Sequence, residues 1–265
     1  MVKHTPHDER PVIVGTDLVS PLGVSFDEQI EAAQAGQSGV GRLTRFPLRK
    51  DFPVTVAGQV PAFDPSPYPF LNSRNMAHWF SPIFRHALLV THRALNRAGL
   101  DITPDIAPRV AVTFSSAIGG LDAVLDADRR LQSNGRLPSP FVNPNACINM
   151  VTGKVSMLTG ATGPVTTSIT ACATGSSSII TGAMFLAAGD ADVAICGAVD
   201  FPLVEPIVAG FATMNGAFKT RPGETSDPTT ASRPFAGDRK GFVVSEGAAA
   251  LILTTPAFAR THGLT

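Results

Sequence analysis

A long stretch without charge constrains the fold of this chain most strongly. Residues 155–189 contain no Asp, Glu, Lys or Arg. A stretch of this kind is typical of a membrane span or of a buried core. Thr, Ser, Gly and Pro interrupt it throughout, so no apolar run of the roughly 18 residues that a span requires remains. We therefore predict a buried core segment and no membrane contact.

Periodicity along the chain predicts an α/β fold. Residues 176–189 are apolar nearly all round a helical circumference, which predicts a helix buried on every side. Elsewhere, short apolar runs alternate with helical patterns, which favours a mostly parallel sheet. The predicted strands cover residues 10–15, 109–115, 165–169, 192–199 and 241–254.

Helix boundaries can be predicted at two places. Ser25 followed by Glu28 has the spacing of a capping box, and Gly36 lies where that helix would end. A second helical pattern covers residues 72–98 and ends before Gly99. Pro82 should kink or divide it, because proline lacks the N–H that a helix interior needs.

Composition excludes several classes of partner. The 265 residues include 21 Lys plus Arg and 21 Asp plus Glu, so no net charge attracts the chain to nucleic acid or to an anionic membrane. The N-terminal residues are polar and do not resemble a signal peptide. Three cysteines (Cys147, Cys172, Cys196) without a C-x-x-C spacing argue against a zinc site or a disulfide framework. We expect reduced thiols and a cytoplasmic location.

Familiar catalytic motifs do not occur. The sequence lacks the phosphate-binding loop, the dinucleotide fingerprint, the H-E-x-x-H zinc motif and the G-x-S-x-G elbow. The six histidines are predicted to lie on the surface or at helix boundaries rather than to act as bases, because none adjoins a loop of small residues at a strand end. They are His4, His7, His78, His86, His92 and His262.

The cysteine in SITACATGSSSII has a different setting from the other two. Cys172 follows a predicted strand and precedes the charge-free helix, so its sulfur should lie at a helix N-terminus, where the dipole favours an anion by about 0.3–1 kcal/mol. Small neighbours would let a thioester approach. The residues alone leave two alternatives open, a reactive thiol and an inert core side chain. We predict core positions for Cys147 and Cys196.

Several blocks of sequence, in order, resemble one family. RPVIVGTDLVSPLG, AGQSGVG, SSAIGGLD, PNACINMVTGKVSMLTGATGPV, TACATGS, GDADVAICGAVD and ASRPFAGDRKGFVVSEGAAALIL are similar to blocks of the elongating β-ketoacyl-acyl-carrier-protein synthases, which have the thiolase fold. The resemblance implies that residues 1–265 form the N-terminal, nucleophile-bearing half of that fold. It implies a mixed, mostly parallel five-stranded sheet with helices on both faces.

The resemblance also implies roles for single residues. Cys172 would accept an acyl chain from a carrier protein, and its N–H would form half of an oxyanion hole. Ile118, Phe141 and Phe211 fall where the family lines its acyl pocket, although they could equally be core residues. Arg221 matches a basic position near the carrier-protein docking face, or is a solvated arginine. A further set in matching blocks is expected to be structural: Asp200, Arg233, Asp238 and Glu246.

The family's later blocks, which carry two histidines, are not found in this sequence. The resemblance therefore implies a partner: a complementary C-terminal half or an intact synthase subunit, in a hetero- or homo-oligomer that works with acyl carrier protein. The expected activity is acyl transfer to Cys172 followed by decarboxylative condensation with malonyl-carrier protein, in fatty-acid or polyketide synthesis. No metal, nucleotide or other cofactor is called for. One alternative is a non-catalytic paralogue that pairs with an intact synthase as a scaffold or chain-length subunit. Another is that the sequence is an incomplete part of a longer protein.

Overall fold

A computed structural model describes residues 10–220 and 227–264. They form two compact units. The first contains residues 10–18, 64–200 and 248–264, and the second contains residues 19–63, 201–220 and 227–247. The strands are β1 (Val12–Val19), β2 (Val40–Arg42), β3 (Val56–Gly58), β4 (Val110–Ser115), β5 (Val193–Asp200) and β6 (Gly247–Thr254). The helices are α1 (Phe26–Gln34), α2 (Pro82–Ala98), α3 (Leu121–Asn134), α4 (Val142–Ala146), α5 (Asn149–Thr159), α6 (Thr174–Ala188), α7 (Glu205–Thr213) and α8 (Pro256–His262).

The main sheet has the strand order β1-β6-β5-β4. Strands β4 and β5 are parallel, in a register that runs from Val110 opposite Val193 to Ser115 opposite Ala198. Beyond β4, Val165 forms a parallel bridge with Val112, which adds a fifth position at this edge. The predicted α/β fold with a mixed sheet is confirmed.

The strand predicted at residues 165–169 is wrong in length. Only the bridge at Val165 forms, through bonds from the Val112 N–H to the Pro164 carbonyl (2.9 Å) and from the Thr166 N–H to the Val112 carbonyl (3.1 Å). The next carbonyl on that edge of β4 belongs to Phe114, and it accepts a hydrogen bond from the Thr152 hydroxyl of α5 instead. The ladder therefore ends, and the chain turns away towards Cys172.

Other predicted boundaries are close to those observed. Ser25 caps α1, and the reciprocal bond from Glu28 completes the capping box as predicted. Pro82 is the first residue of α2, so it divides the predicted helical segment as expected. The strand predicted at residues 241–254 is too long, because only Gly247–Thr254 is β6 and the preceding residues run as a loop that bonds to Gly216 and Gly58.

Helices cover both faces of β4 and β5. Ala111 and Cys196 belong to a buried cluster against α6 that also contains Leu186. Because side chains alternate along a strand, Val110, Val112 and Phe114 face the opposite side, where α2 and α5 pack. All six residues of β4 are buried. This core fixes the start of α6 relative to the end of β5.

Helix α6 is buried on one face only, so the prediction of burial on every side is wrong within this chain. Thr174, Ser178, Gly182 and Leu186 are its buried residues, at a spacing of four. On the other side Ile180 is 60% exposed and Met184 is 64% exposed. No described part of the chain covers this face. The side of α6 that faces away from the sheet therefore exposes apolar side chains.

One helical segment of the described chain, Ala171–Ala188, has the length and mean hydropathy (1.4) of a membrane span. Its buried residues pack on β4 and β5, as the core helix of a sheet does. Length and composition alone do not separate the two cases, and the packing favours the core helix.

The second unit has its own apolar core. Strands β2 and β3 pair in antiparallel fashion, from Val40 opposite Gly58 to Arg42 opposite Val56. The buried side chains of this cluster are Leu43, Val54, Ala57, Leu203, Val208, Ala212, Ala217 and Val244. Glu246, almost fully buried, accepts hydrogen bonds from Arg45 Nε (2.8 Å) and from the Val60 N–H (3.0 Å). The carboxylate thereby ties the β2–β3 hairpin to the segment that leads into β6.

Candidate active site

Cys172 lies in a single tight turn, Ala171–Ala173, that leads directly into α6. The turn is closed by the Ala173 N–H, which donates to the Thr170 carbonyl at 3.1 Å. The Thr170 N–H donates to the hydroxyl of Thr174 at 3.1 Å. The sequence folds this way because the small residues on either side of the cysteine allow the sharp change of direction from sheet to helix. The predicted position at a helix N-terminus is observed.

The residue before the cysteine has a strained backbone. Ala171 has φ = 49°, in the left-handed region that residues with a Cβ rarely occupy. Such a conformation costs on the order of 1 kcal/mol and persists only where surrounding contacts enforce it. Here those contacts are the Thr170–Thr174 bond and the bond between the Thr170 and Ser177 hydroxyls (2.7 Å). The strained turn presents Cys172 at the surface of the first unit.

The thiol of Cys172 is exposed and reachable. The residue that caps α6 is Ala173, which has no side-chain oxygen to offer to the first N–H groups of the helix. These groups and the helix dipole favour negative charge at this position. Within the described ranges no hydrogen bond or ion pair joins the thiol to another side chain. A base for Cys172 would therefore have to come from elsewhere.

The other two cysteines differ from each other. Cys196 is fully buried in β5, as predicted, and burial raises the pKa of its thiol to about 11. Cys147 is exposed, so its predicted core position is wrong within this chain. It ends the short helix α4 and is followed by α5, and this junction lies at the surface of the first unit. Neither residue follows a residue of positive φ in a tight turn, as Cys172 does.

Ile118 lies in a loop that hydrogen bonds hold to the end of β5. The carboxylate of Asp200, at the end of β5, accepts hydrogen bonds from Ser116 Oγ (2.8 Å), the Ala117 N–H (3.0 Å) and the Ile118 N–H (3.1 Å). The Ser116 hydroxyl in turn accepts from the Gly119 N–H at 2.7 Å. Ile118 itself is half-buried. Asp200 is therefore structural, as predicted, and it positions a residue of the expected acyl pocket.

Phe141 is also half-buried and lies at the start of α4. Its ring stacks on the imidazole of His78, with 4.0 Å between ring centroids and 8° between planes. Phe211, in contrast, belongs to the second unit, where it packs against the apolar core and meets Phe242 edge to face at 5.3 Å. The first unit thus contains Cys172, Ile118 and Phe141, whereas Phe211 is part of another core.

The remaining predicted residues either make structural contacts or lie outside the described residues. Arg233 and Asp238 form an exposed ion pair at 2.8 Å, and Glu246 is held by Arg45, so these residues have structural contacts as predicted. Arg221, the expected docking residue, lies outside the described residues. Within the described ranges no group of three or more His, Cys, Asp or Glu side chains is arranged to hold a metal ion.

Sequence reasoning missed the residues that support the site. Ser116 and Asn145 are uncharged residues in loops and short helices, and nothing in their local pattern distinguishes them. His78 was assigned to the surface, which is correct, but its stack on Phe141 joins residues far apart in sequence. These contacts are tertiary, so local sequence patterns carry no sign of them.

The chain is similar in sequence and in fold to known proteins. A family model described as "Beta-ketoacyl synthase, N-terminal domain" matches residues 8–259. The 3-oxoacyl-[acyl-carrier-protein] synthase 2 of Coxiella burnetii is 37% identical over 245 residues, which are 92% of this chain and 57% of that protein. The chain thus spans less than two thirds of the length of the curated relatives it matches.

Solved structures that are similar to the chain also include ketosynthases. A β-ketoacyl synthase from Burkholderia phymatum superposes with a TM-score of 0.82 at 26% identity, over 97% of this chain and 62% of that one. A second structure has a TM-score of 0.77 at 23% identity, over 98% of this chain and 61% of that one; it is described as a type II PKS acyl-carrier protein in complex with its ketosynthase, AntDE:AntF.

The fold places the chain in the class of thiolase-fold ketosynthases. The chain belongs to the β-ketoacyl synthase family, and the part of the family that it matches is the N-terminal domain.

Proposed function

We propose that this chain is the nucleophile-bearing part of a 3-oxoacyl-[acyl-carrier-protein] synthase that acts in fatty-acid or polyketide synthesis. The observation that carries the proposal is the exposed Cys172 on a strained turn at the start of α6, in a chain of this family. We place the reaction in the cytoplasm, where thiols remain reduced.

The first half-reaction is a transthioesterification. The thiolate of Cys172 attacks the carbonyl of an acyl thioester on the carrier protein, so a new C–S bond forms and the carrier thiol leaves with a proton. The N–H groups at the start of α6 stabilise the thiolate, and the N–H of Cys172 would stabilise the oxyanion. The acyl chain would lie against Ile118 and Phe141. This step needs no metal or nucleotide.

The second half-reaction is a decarboxylative condensation. Malonyl-carrier protein loses CO2, and the resulting carbanion attacks the acyl-Cys172 carbonyl. The new C–C bond forms, the thiol of Cys172 is released, and the product is a 3-oxoacyl thioester. This step needs acid–base groups at the carbanion and at the carbonyl. We propose that a partner supplies them as histidines.

We propose that this partner, a complementary C-terminal half or an intact synthase subunit, covers the exposed face of α6. Ile180 and Met184 are more than half exposed there, although soluble proteins rarely expose large contiguous apolar patches. The curated relatives are also longer than this chain by the part that would supply such a cover. The assembly would be a hetero- or homo-oligomer that receives its acyl groups from acyl carrier protein, with Arg221 on the docking face.

The test is a complementation assay. The chain is mixed with a separately expressed C-terminal half that carries the two histidine blocks, together with acyl- and malonyl-carrier protein, and 3-oxoacyl product is measured by mass spectrometry. Product should require both halves and should vanish with Cys172→Ala. Equal product from the C-terminal half alone would contradict the proposal.

A second candidate is a non-catalytic paralogue that pairs with an intact synthase as a scaffold or chain-length subunit. One solved structure of similar fold is described as a ketosynthase/chain length factor, which favours it. In that case the chain should form a complex with an intact synthase and change its product length, and Cys172→Ala should leave that effect unchanged. The same variant therefore separates the two candidates.

A further inference from the structure

Phe141 is held in place by an amide that the predicted site did not include. Asn145 is fully buried, and its Nδ2 donates to two carbonyls at 2.8 Å each, those of His78 and Phe141. One amide group thus fixes two backbone segments side by side. Because the segments are fixed, the imidazole of His78 stacks on the ring of Phe141 at 4.0 Å.

The same asparagine supports the loop of Ile118. Its Oδ1 accepts from the Ser81 N–H at 3.1 Å, and the Ser81 hydroxyl donates to Asp122 at 2.6 Å in the first turn of α3. The carbonyl of Asn145 lies so close to Gly120 that a Cβ there would be 2.0 Å away. The loop that holds Ile118 is therefore pressed against the segment that holds Phe141. Both expected pocket residues depend on one network.

Among the contacts described above, His78 alone contacts the ring of Phe141 with its own ring. The side chain of His78 is exposed. The stack restrains the orientation of the Phe141 ring, because the imidazole covers one of its faces. With one face covered by the imidazole, the Phe141 ring is held away from the space that His78 occupies.

We propose that His78 is a positioning residue that acts through Phe141 to set the acyl-chain length that this chain accepts. The proposal rests on the proposed function, because that function places an acyl chain against Phe141. Asn145 serves the same purpose by holding the two backbones. No other role is required of either residue.

The test measures the affinity of non-reactive ligands that do not acylate Cys172. S-hexyl and S-dodecyl pantetheine thioethers are titrated into the full chain by calorimetry, and the ratio of their dissociation constants is compared between variants. His78→Ala should free the Phe141 ring and shift the ratio towards the dodecyl ligand, by about fourfold for each additional methylene that becomes buried. His78→Phe keeps a ring for the stack and should retain the wild-type ratio.

The chain contains a matched control. His262 stacks on Phe258 at 3.8 Å and 19° in the same unit, but in α8. His262→Ala removes an equivalent stack and should leave the ratio unchanged. His78→Ser vacates the same space with a small polar side chain, and it gives the expected shift if His78→Ala does not fold.

The outcomes separate this proposal from the proposed function. An equal ratio in His78→Ala, His262→Ala and the wild type overturns the role of His78, and so does a wild type that binds neither thioether. A ratio that shifts as expected, in a chain whose Cys172 is never acylated, supports the pocket wall and contradicts the proposed function instead.

Discussion

Gly182 is the residue at which α6 approaches the sheet most closely. A Cβ at this position would lie 2.3 Å from Cys196 Sγ and 3.1 Å from the Cβ of Ala194. The buried sulfur of Cys196 cannot move away without displacing its neighbours, because protein cores are close-packed. The sulfur of Cys196 therefore occupies the space that a side chain at Gly182 would need. This close packing holds α6 against β5.

We predict that Gly182→Ala destabilises the chain. Overpacking costs about 1–3 kcal/mol, and the better helix propensity of alanine returns roughly 1 kcal/mol, so the net loss should be about 0–2 kcal/mol. Urea unfolding followed by circular dichroism measures it. Gly153→Ala, in α5, is the matched control, since a Cβ there would meet nothing within 4 Å. An equal effect of both substitutions would show that α6 is not packed in this way.

Asp122 is a second residue whose environment can be tested. Burial raises the pKa of its carboxyl, against the opposing effect of the hydrogen bond from Ser81. The protonated form is therefore favoured in the folded state. The protonated carboxyl of Asp122 therefore contributes stability below the usual Asp pKa of about 3.9. This contribution is lost as pH rises through the higher pKa that Asp122 has in the folded chain.

Asp122→Asn should remove this loss, because the amide oxygen can still accept from Ser81 and carries no charge. The variant is expected to gain stability relative to the wild type as pH is raised from 4 to 7. Urea midpoints at several pH values measure the difference. A difference that stays constant over this range would mean that Asp122 titrates as an exposed carboxyl does.

At the scale of elements, the β2–β3 hairpin depends on one buried carboxylate. The side chain of Glu246 is 3% exposed and that of Arg45 is 39% exposed, so the pair is buried on one side only. Removing one partner of a fully buried pair costs about 3–5 kcal/mol, and solvent around Arg45 reduces this. We predict a loss of roughly 2–3 kcal/mol for Glu246→Ala, measured by urea unfolding.

The control for this prediction lies in the same unit. Asp238 and Arg233 are more than half exposed, and exposed pairs contribute about 0–1 kcal/mol. Asp238→Ala should therefore have little effect. If Glu246→Ala were as mild as Asp238→Ala, the carboxylate would not be what ties the hairpin to the segment before β6.

The boundaries of elements could be predicted from sequence where neighbouring residues determine them. They could not be predicted where contacts between residues distant in sequence determine them. The cap of α1 and the start of α2 follow from Ser25, Glu28 and Pro82, whose effects are confined to neighbouring residues. The short bridge at Val165 depends on the Thr152 hydroxyl, which takes the carbonyl that the next strand residue would need. The turn at Cys172 was predicted from its position between strand and helix, but the network behind Phe141 was not.

At the scale of the whole molecule, the apolar face of α6 is the feature that the chain leaves open. The periodicity of residues 176–189 predicts burial all round, and the structure buries one side. The sequence pattern describes the environment that the helix needs, and the described chain supplies only part of it. The proposal that a partner covers α6 rests on this difference.

We predict that the open face makes the isolated chain associate with itself. Ile180→Glu combined with Met184→Glu should increase the monomer fraction at a given concentration, because a charged face resists apolar association. Sedimentation velocity measures that fraction. Leu137→Glu is the control, since Leu137 is 81% exposed and belongs to the loop between α3 and α4. Equal effects of both changes would show that α6 is not the associating face.

The proposed function requires Cys172 to accept an acyl group from a carrier protein. The most direct measurement is the intact mass of the chain after incubation with acyl-carrier protein, with and without the complementary half, followed by peptide mapping. We predict a mass increase of one acyl group on the peptide that contains Cys172, and none in Cys172→Ala. A chain that stays unmodified in the complex, while an intact synthase is acylated under the same conditions, would contradict the account.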